Sequence, residues 1–324
     1  MQDDATKSKS SLTFDTATAT IRGARDYQED ALISSFPVGQ CSGFAVVADG
    51  MGGAVAGNVA SALVTTECFC QLKMKDAAIE DGSMDIPLTL RMMAEDANDR
   101  IKSRTREDDE TTGMGATLLA PVIRDDRLFW ISIGDSPLLL FRDGALRQLN
   151  QDHSMAPQID MMVKMGAMSA EVAAKHPDRN TLTSVLNGES IESIDCPPVP
   201  ITLRADDIII AASDGLQFLP NAMIANTLNL LKGGRSVEIA NALLGGINML
   251  ADPTQDNVAI IVIKMIAPTG AAASTELEDM PVLARADDTP TAPAAPTPTP
   301  ETPAEPVKDE SKAYWYRGQK YYKD

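Results

Sequence analysis

Two apolar runs in this chain each end in an Asp-Gly step, and any fold it adopts must place both. Phe44-Ala45-Val46-Val47-Ala48 runs into Asp49-Gly50-Met51-Gly52-Gly53, and Ile208-Ile209-Ile210-Ala211-Ala212 runs into Ser213-Asp214-Gly215. Short runs rich in β-branched residues read as strands buried on both faces, which points to two sheets packed together. Each strand delivers a carboxylate to the edge of a core, and the glycine beside it leaves the backbone carbonyl uncrowded. Carboxylates converging with no Cys or His among them describe an all-oxygen site for a hard divalent cation.

The rest of the pattern is mixed. Alternating Thr and Ala over Thr16–Ile21 predicts an opening strand, and Arg22–Asp30 is a polar turn before the apolar Ala31-Leu32-Ile33. Apolar residues at helical spacing predict helices over Val55–Leu72 and Pro87–Arg104, with a charged loop over Glu107–Thr112. Strand pairs follow at Gly115–Ile123 with Leu128–Ile133, and at Leu138–Phe141 with Ala145–Leu149 around the turn Arg142-Asp143-Gly144. Helices over Asn221–Leu231 and Val237–Leu250 precede a last strand, Val258–Ile266. Helices and tight hairpins in separate blocks make this an α+β chain with antiparallel sheets.

Composition narrows the partners. The formal net charge is −18, so the surface repels phosphate backbones and anionic lipid, and neither nucleic acid nor membrane is expected as a partner. The four cysteines, Cys41, Cys68, Cys70 and Cys196, are too few and too scattered for a disulfide framework. They read as small buried hydrophobes in a reducing compartment. No apolar run reaches the roughly 18 residues of a membrane span, and Met1-Gln2-Asp3-Asp4 lacks a signal-peptide pattern, so the expected location is the cytoplasm.

Three more acidic features sit at strand margins: Glu29-Asp30, Asp135 after Ile133-Gly134, and Asp256-Asn257 before Val258. An Asp at a strand end is usually a turn former, but five such placements in one domain are harder to dismiss. Seven motifs then occur in order: Arg25-Asp26-Tyr27-Gln28-Glu29-Asp30, Asp49-Gly50-Met51-Gly52-Gly53, Gly113-Met114-Gly115-Ala116-Thr117-Leu118, Gly134-Asp135-Ser136, Asp152-His153-Ser154, Ser213-Asp214-Gly215 and Asp256-Asn257. Across residues 15–266 the chain resembles the metal-dependent protein serine/threonine phosphatases of type 2C, in their bacterial form.

The resemblance implies a four-layer αββα sandwich, two antiparallel β-sheets packed face to face with helices on both outer sides. It also implies two Mn2+ or Mg2+ ions per chain, with a weaker third. Asp49 would bridge both metals, the Gly50 carbonyl would bind one, and Asp214 and Asp256 would complete the other. Glu29 and Asp30 would hold metal-bound waters, Asp135 would serve the third ion, and Arg25 would clamp the substrate phosphate. The implied reaction is hydrolysis of phosphoserine and phosphothreonine in proteins by a metal-bridging hydroxide, opposing a Ser/Thr kinase. The rival reading is a catalytically silent metal-binding scaffold that recruits partners through its C-terminal tail. A His found in eukaryotic relatives is Met51 here, and neither His153 nor His176 is assigned as the general acid, so metal-bound water takes that role.

The segment Met155–Asn180 corresponds to the family's flap and holds five of the sixteen methionines, an adaptable apolar wall for a substrate peptide. In domain terms the reading is a flexible N-terminus over 1–13, the phosphatase domain over 14–268, a Pro/Thr/Ala-rich disordered linker over 269–310 and a tail over 311–324. Seven prolines among the eighteen residues Thr289–Pro306 preclude a core. The tail carries Tyr314, Trp315, Tyr316, Tyr321 and Tyr322 among basic residues, which fits a docking peptide for a partner protein.

Overall fold

In a computed structural model, residues 12–53, 56–267, 313–316 and 319–322 are described. The chain divides near residue 270 into two units. In the first, the order is β1 (Thr13–Ile21), β2 (Asp30–Ser35), β3 (Ser42–Met51), α1 (Ala56–Met74), α2 (Asp76–Asp81), α3 (Ile86–Glu107), β4 (Gly115–Ala116), β5 (Leu118–Arg124) and β6 (Arg127–Ile133). Then come β7 (Leu138–Arg142), β8 (Ala145–Gln148), α4 (Ala156–Lys164), α5 (Ala170–Ala174), β9 (Ile201–Thr202), β10 (Ile208–Ala212), α6 (Asn221–Leu231), α7 (Ser236–Leu250) and β11 (Val258–Ile266). The second unit is described only as the antiparallel pair β12 (Ala313–Tyr316) and β13 (Gln319–Tyr322), with Tyr314 opposite Tyr321. The expected linker over 269–310 and most of the N-terminal segment lie outside the described residues; Thr13 itself opens β1.

Two antiparallel sheets form the first unit, one ordered β1-β11-β10-β7-β8 and the other β2-β3-β5-β6-β9, with β4 on β3. The two Asp-Gly strands explain why they stack. On β3, Ala45 and Val47 point into the space between the sheets while Val46 and Ala48 point outward against helices. On β10, Ile209 and Ala211 face inward, and Ile208, Ile210 and Ala212 face outward. Side chains alternate along a strand, so a run that is apolar at every position needs cover on both faces. Three cores result. One lies between the sheets, one holds α1 and α3 on the β3 sheet, and one holds α6 and α7 on the β10 sheet. The α+β, four-layer αββα arrangement is therefore the observed fold.

The helices follow their apolar stripes. Leu90, Met93, Ala94, Ala97 and Ile101 are all buried on α3, which Asp85 caps by accepting from the Leu88 amide at 3.1 Å. Three details depart from the sequence reading. The single strand expected over Gly115–Ile123 is interrupted at Thr117 into β4 and β5: Thr117 stays opposite Asp49 and donates its amide to the Asp49 carbonyl, but its hydroxyl rather than its carbonyl takes the Asp49 amide. The short α2 and the two-residue β9 both go unpredicted.

Connectivity puts the acidic residues at one end. β3 and β10 run toward that end, β2 and β11 start from it because they are antiparallel to those strands, and β6 runs parallel to β3 two strands away. Hence Asp49, Asp214, Asp30, Asp256 and Asp135 all gather there. Ile261 sits wholly buried on the inter-sheet face of β11. We expect Ile261→Ala to cost about 2–5 kcal/mol, read as a lowered urea midpoint with an unchanged slope.

Candidate metal centre

The register of β2 against β3 sets Asp30 directly opposite Asp49. Like charges in that relation repel unless something neutralises them. Burial apart, the Asp30 and Asp214 carboxyls lie close enough to that of Asp49 to push it up. Ser213 donates its hydroxyl to Asp30 at 2.6 Å, and the same oxygen accepts from the Ala259 amide at 2.9 Å, tying β2, β10 and β11 together. Asp214 opens a 3-10 turn over Asp214–Phe218, directly after β10. Asp135 lies in the crossing from β6 to β7 and is buried. Asp256 stands at the foot of β11, where its carboxylate meets the Arg25 guanidinium at 2.5 Å.

These groups surround a cleft of about 310 Å3 lined by Arg25, Glu29, Asp49, Gly50, Asp135 and Asp214. Asn180 and Leu182, at the end of the flap segment, also line it. Every sequence-predicted residue is thus in the cleft wall or, for Asp30 and Asp256, immediately behind it. Among the described residues no three His, Cys, Asp or Glu side chains form a closed cage for an ion. Asp256 pairs with Arg25, and Asp30 takes the Ser213 hydroxyl.

Two glycines make the close packing possible. A side chain on Gly50 would sit 2.0 Å from the Gly57 carbonyl oxygen, and one on Gly215 would sit 1.9 Å from that of Asn257. The Asp-Gly steps therefore do more than keep a carbonyl open. They let neighbouring backbone press against the strand ends.

Burial is the main cause of the electrostatics. It pushes the Asp30 carboxyl up to about 7 and that of Asp135 to about 8, with neighbouring carboxylates adding to the shift. Burial likewise raises Asp49 and Asp214, reinforced at Asp49 by Asp30 and Asp214 and at Asp214 by Asp256. Buried and without a hydrogen-bond partner among the described residues are Glu29 Oε1, Asp135 Oδ1 and Asp214 Oδ1. Leaving an acceptor buried and unpaired is costly. Orphaned carboxylate oxygens aimed around one polar cleft, with no softer ligand beside them, fit hard divalent cations.

Two motif residues to which the sequence assigned no role, Asn257 and Thr117, brace this cluster. Asn257 accepts from the Glu29 amide at 2.7 Å and donates to the carbonyls of Arg22 and Tyr27 at 2.7 and 2.9 Å. It thereby holds the Arg25 loop against β11. Thr117 accepts from the Asp49 amide at 2.9 Å. Their signal was membership of the ordered motifs at the margin of an apolar strand. His153 is buried and its Nδ1 accepts from the Gly134 amide, while His176 Nδ1 accepts from the Asp178 amide.

A family description for protein phosphatase 2C matches residues 24–238. The serine/threonine phosphatase stp of Listeria welshimeri is 29% identical over 221 residues, 68% of this chain and 83% of that one. The serine/threonine protein phosphatase PstP of Mycobacterium tuberculosis is 31% identical over 224 residues, 68% of this chain and 40% of that one. The crystal structure of the PstP catalytic domain with two manganese ions superimposes with a TM-score of 0.62 at 26% identity, covering 79% of this chain and 99% of that one.

The raised carboxyls make a stability prediction. Their folded pKa values lie above the unfolded 3.8, so the stability they lend is present at low pH and drains away as pH rises through about 7 to 8. The metal-free domain should melt at a lower temperature at pH 8.5 than at pH 6, and Mn2+ should remove most of that difference. Asp214→Asn should raise the metal-free melting temperature at pH 8.5 and abolish the Mn2+ response; differential scanning calorimetry reads both. With its fold, acidic cleft and ordered motifs all in agreement, the chain belongs to the protein phosphatase 2C family and is a metal-dependent protein serine/threonine phosphatase.

Proposed function

We propose that the acidic cleft holds two Mn2+ or Mg2+ ions through Asp49, the Gly50 carbonyl, Asp214 and Asp256, and there hydrolyses phosphoserine and phosphothreonine of protein substrates. The observation that carries this reading is the set of buried, unpartnered carboxylate oxygens around one cleft. When bound, such ions neutralise phosphoryl oxygens and lower the pKa of water into the neutral range. Glu29 and Asp30, just outside that set, orient water by accepting its protons. Asp135, on the far wall, serves a third and weaker ion. The silent-scaffold alternative is not favoured, because the acidic set is complete and the relatives are phosphatases.

Arg25 is half-exposed at the cleft and presents a planar fork suited to two phosphate oxygens. Asp256 on one side and the Asn257-braced loop on the other keep it over the opening. Neither histidine lines the cleft. Burial holds His153 below its ordinary pKa, hence neutral, so the departing serine or threonine oxygen takes its proton from water.

The flap supplies the peptide contact. On and beside α4, Met161, Met162 and Met165 are 60, 43 and 69% exposed, while Ile159 on the opposite face is buried. An exposed row of flexible thioether side chains near the cleft mouth suits varied phosphoproteins. The opposing Ser/Thr kinase belongs among those substrates or their producers, and the aromatic, basic tail is the docking element for a further partner protein. The proposed place of work is the cytoplasm; no described helix is long and apolar enough to cross a membrane.

Two measurements test this reading. Removing charge-assisted bonds worth about 1.5–3 kcal/mol, Arg25→Ala should raise KM for p-nitrophenyl phosphate roughly 10- to 100-fold in Mn2+, Arg25→Lys should recover little, and Asp49→Ala should leave no Mn2+-dependent turnover. Full activity in Asp49→Ala overturns the assignment. Serine at Met161, Met162 and Met165 together should slow phosphoprotein turnover several-fold more than turnover of p-nitrophenyl phosphate, and equal losses on both overturn the flap's role.

A further inference from the structure

The loop Gly134-Asp135-Ser136-Pro137 is where the chain crosses from one sheet to the other, leaving β6 and entering β7. A single buried amide clamps that crossing. Asn150, just after β8, accepts from the Leu138 amide at 2.8 Å through Oδ1. Its Nδ2 donates to the Ser132 hydroxyl on β6 at 2.8 Å and to the Ser136 carbonyl at 2.9 Å. One side chain thus joins both sheets and both ends of the loop that carries Asp135.

The clamp continues inward. The Ser136 hydroxyl meets that of Thr117 at 3.0 Å, and Thr117 Oγ1 accepts the Asp49 amide at 2.9 Å. Thr117 also donates its own amide to the Asp49 carbonyl at 2.9 Å, so Asp49 is gripped on both sides of its peptide units. Ser132, Ser136 and Thr117 are fully buried, which removes water as a substitute partner. Gly134 lets the loop press on the same threonine, since a side chain there would lie 2.5 Å from Thr117 Cγ2.

We propose that Asn150 is a positioning residue for the metal centre, acting through Ser136 and Thr117 to fix Asp49 and through the crossing loop to fix Asp135. The inference rests on the assignment of Asp49 as a metal ligand. Groups that orient metal ligands affect affinity about 10- to 100-fold, far beyond what their exposed counterparts do. An Asn suits the post because it offers an acceptor and two donors in one plane, and both strands need opposite partners.

The test uses the full chain and Mn2+ alone, with free Mn2+ read from its electron paramagnetic resonance signal. Asn150→Ala and Thr117→Val should each weaken Mn2+ binding about tenfold. The double variant should bind no more than about twofold weaker than either single, because both cut one relay. Thr117→Ser, which keeps the hydroxyl, should stay within about twofold of the unsubstituted chain, and KM for p-nitrophenyl phosphate at saturating Mn2+ should hold in all of them. Mn2+ affinities unchanged in Asn150→Ala and Thr117→Val, or losses that multiply in the double variant, overturn the relay. If Asn150→Ala does not fold, the contrast between Thr117→Val and Thr117→Ser decides alone. A chain that binds no Mn2+ before any substitution overturns the metal assignment itself, and the relay with it.

Discussion

Asp30 and Asp49 face each other across neighbouring strands, with Asp214 in contact and Asp135 and Asp256 close by. Like charges so placed repel, and burial makes each of them harder to ionise. The fold accepts this because the strands that carry them are fixed elsewhere, by apolar side chains on both faces along most of their length. A sandwich with three cores can hold its strand ends in a conformation those ends would not choose. The crowding is then a stored demand for positive charge, met by shared protons and Arg25 in the bare chain and by divalent cations in the working one.

Placement of that demand follows from sheet topology more than from local sequence. Antiparallel neighbours alternate direction, so acidic residues that end β3, β6 and β10 and those that begin β2 and β11 fall on the same side. Five segments far apart in the chain meet without any long excursion. Glycine at positions 50 and 215 then lets the ends close up, since even a methyl group would strike a neighbouring carbonyl. The result is a site set into the rim of a rigid scaffold, with a methionine-bearing flap beside it as the softer element.

Much of this was legible in the residues themselves. Apolar runs without alternation announced strands covered on both faces, and β3, β10 and β11 are such strands. The stripe Leu90 to Ile101 announced α3, and Asp at five strand margins announced the cleft. What stayed hidden was non-local. Thr117 reads as one more β-branched strand residue, and only the neighbouring strand shows that its hydroxyl takes the Asp49 amide. Asn150 and Asn257 look like ordinary loop residues, because their partners lie on strands distant in sequence. The two-residue β9 and the short α2 carry too few residues for any periodicity to register.

An acidic protein that binds a phosphate dianion poses an electrostatic puzzle, and the cleft resolves it locally. A net charge of −18 repels phosphate at long range, yet beyond about a Debye length that repulsion is screened at physiological ionic strength. Inside the cleft the count differs. The carboxyls are buried and raised, so without cations several hold protons rather than charge. Divalent ions held there would compensate the carboxylates, and Arg25 adds positive charge at the mouth. Phosphate then meets a locally compensated surface on a globally acidic body.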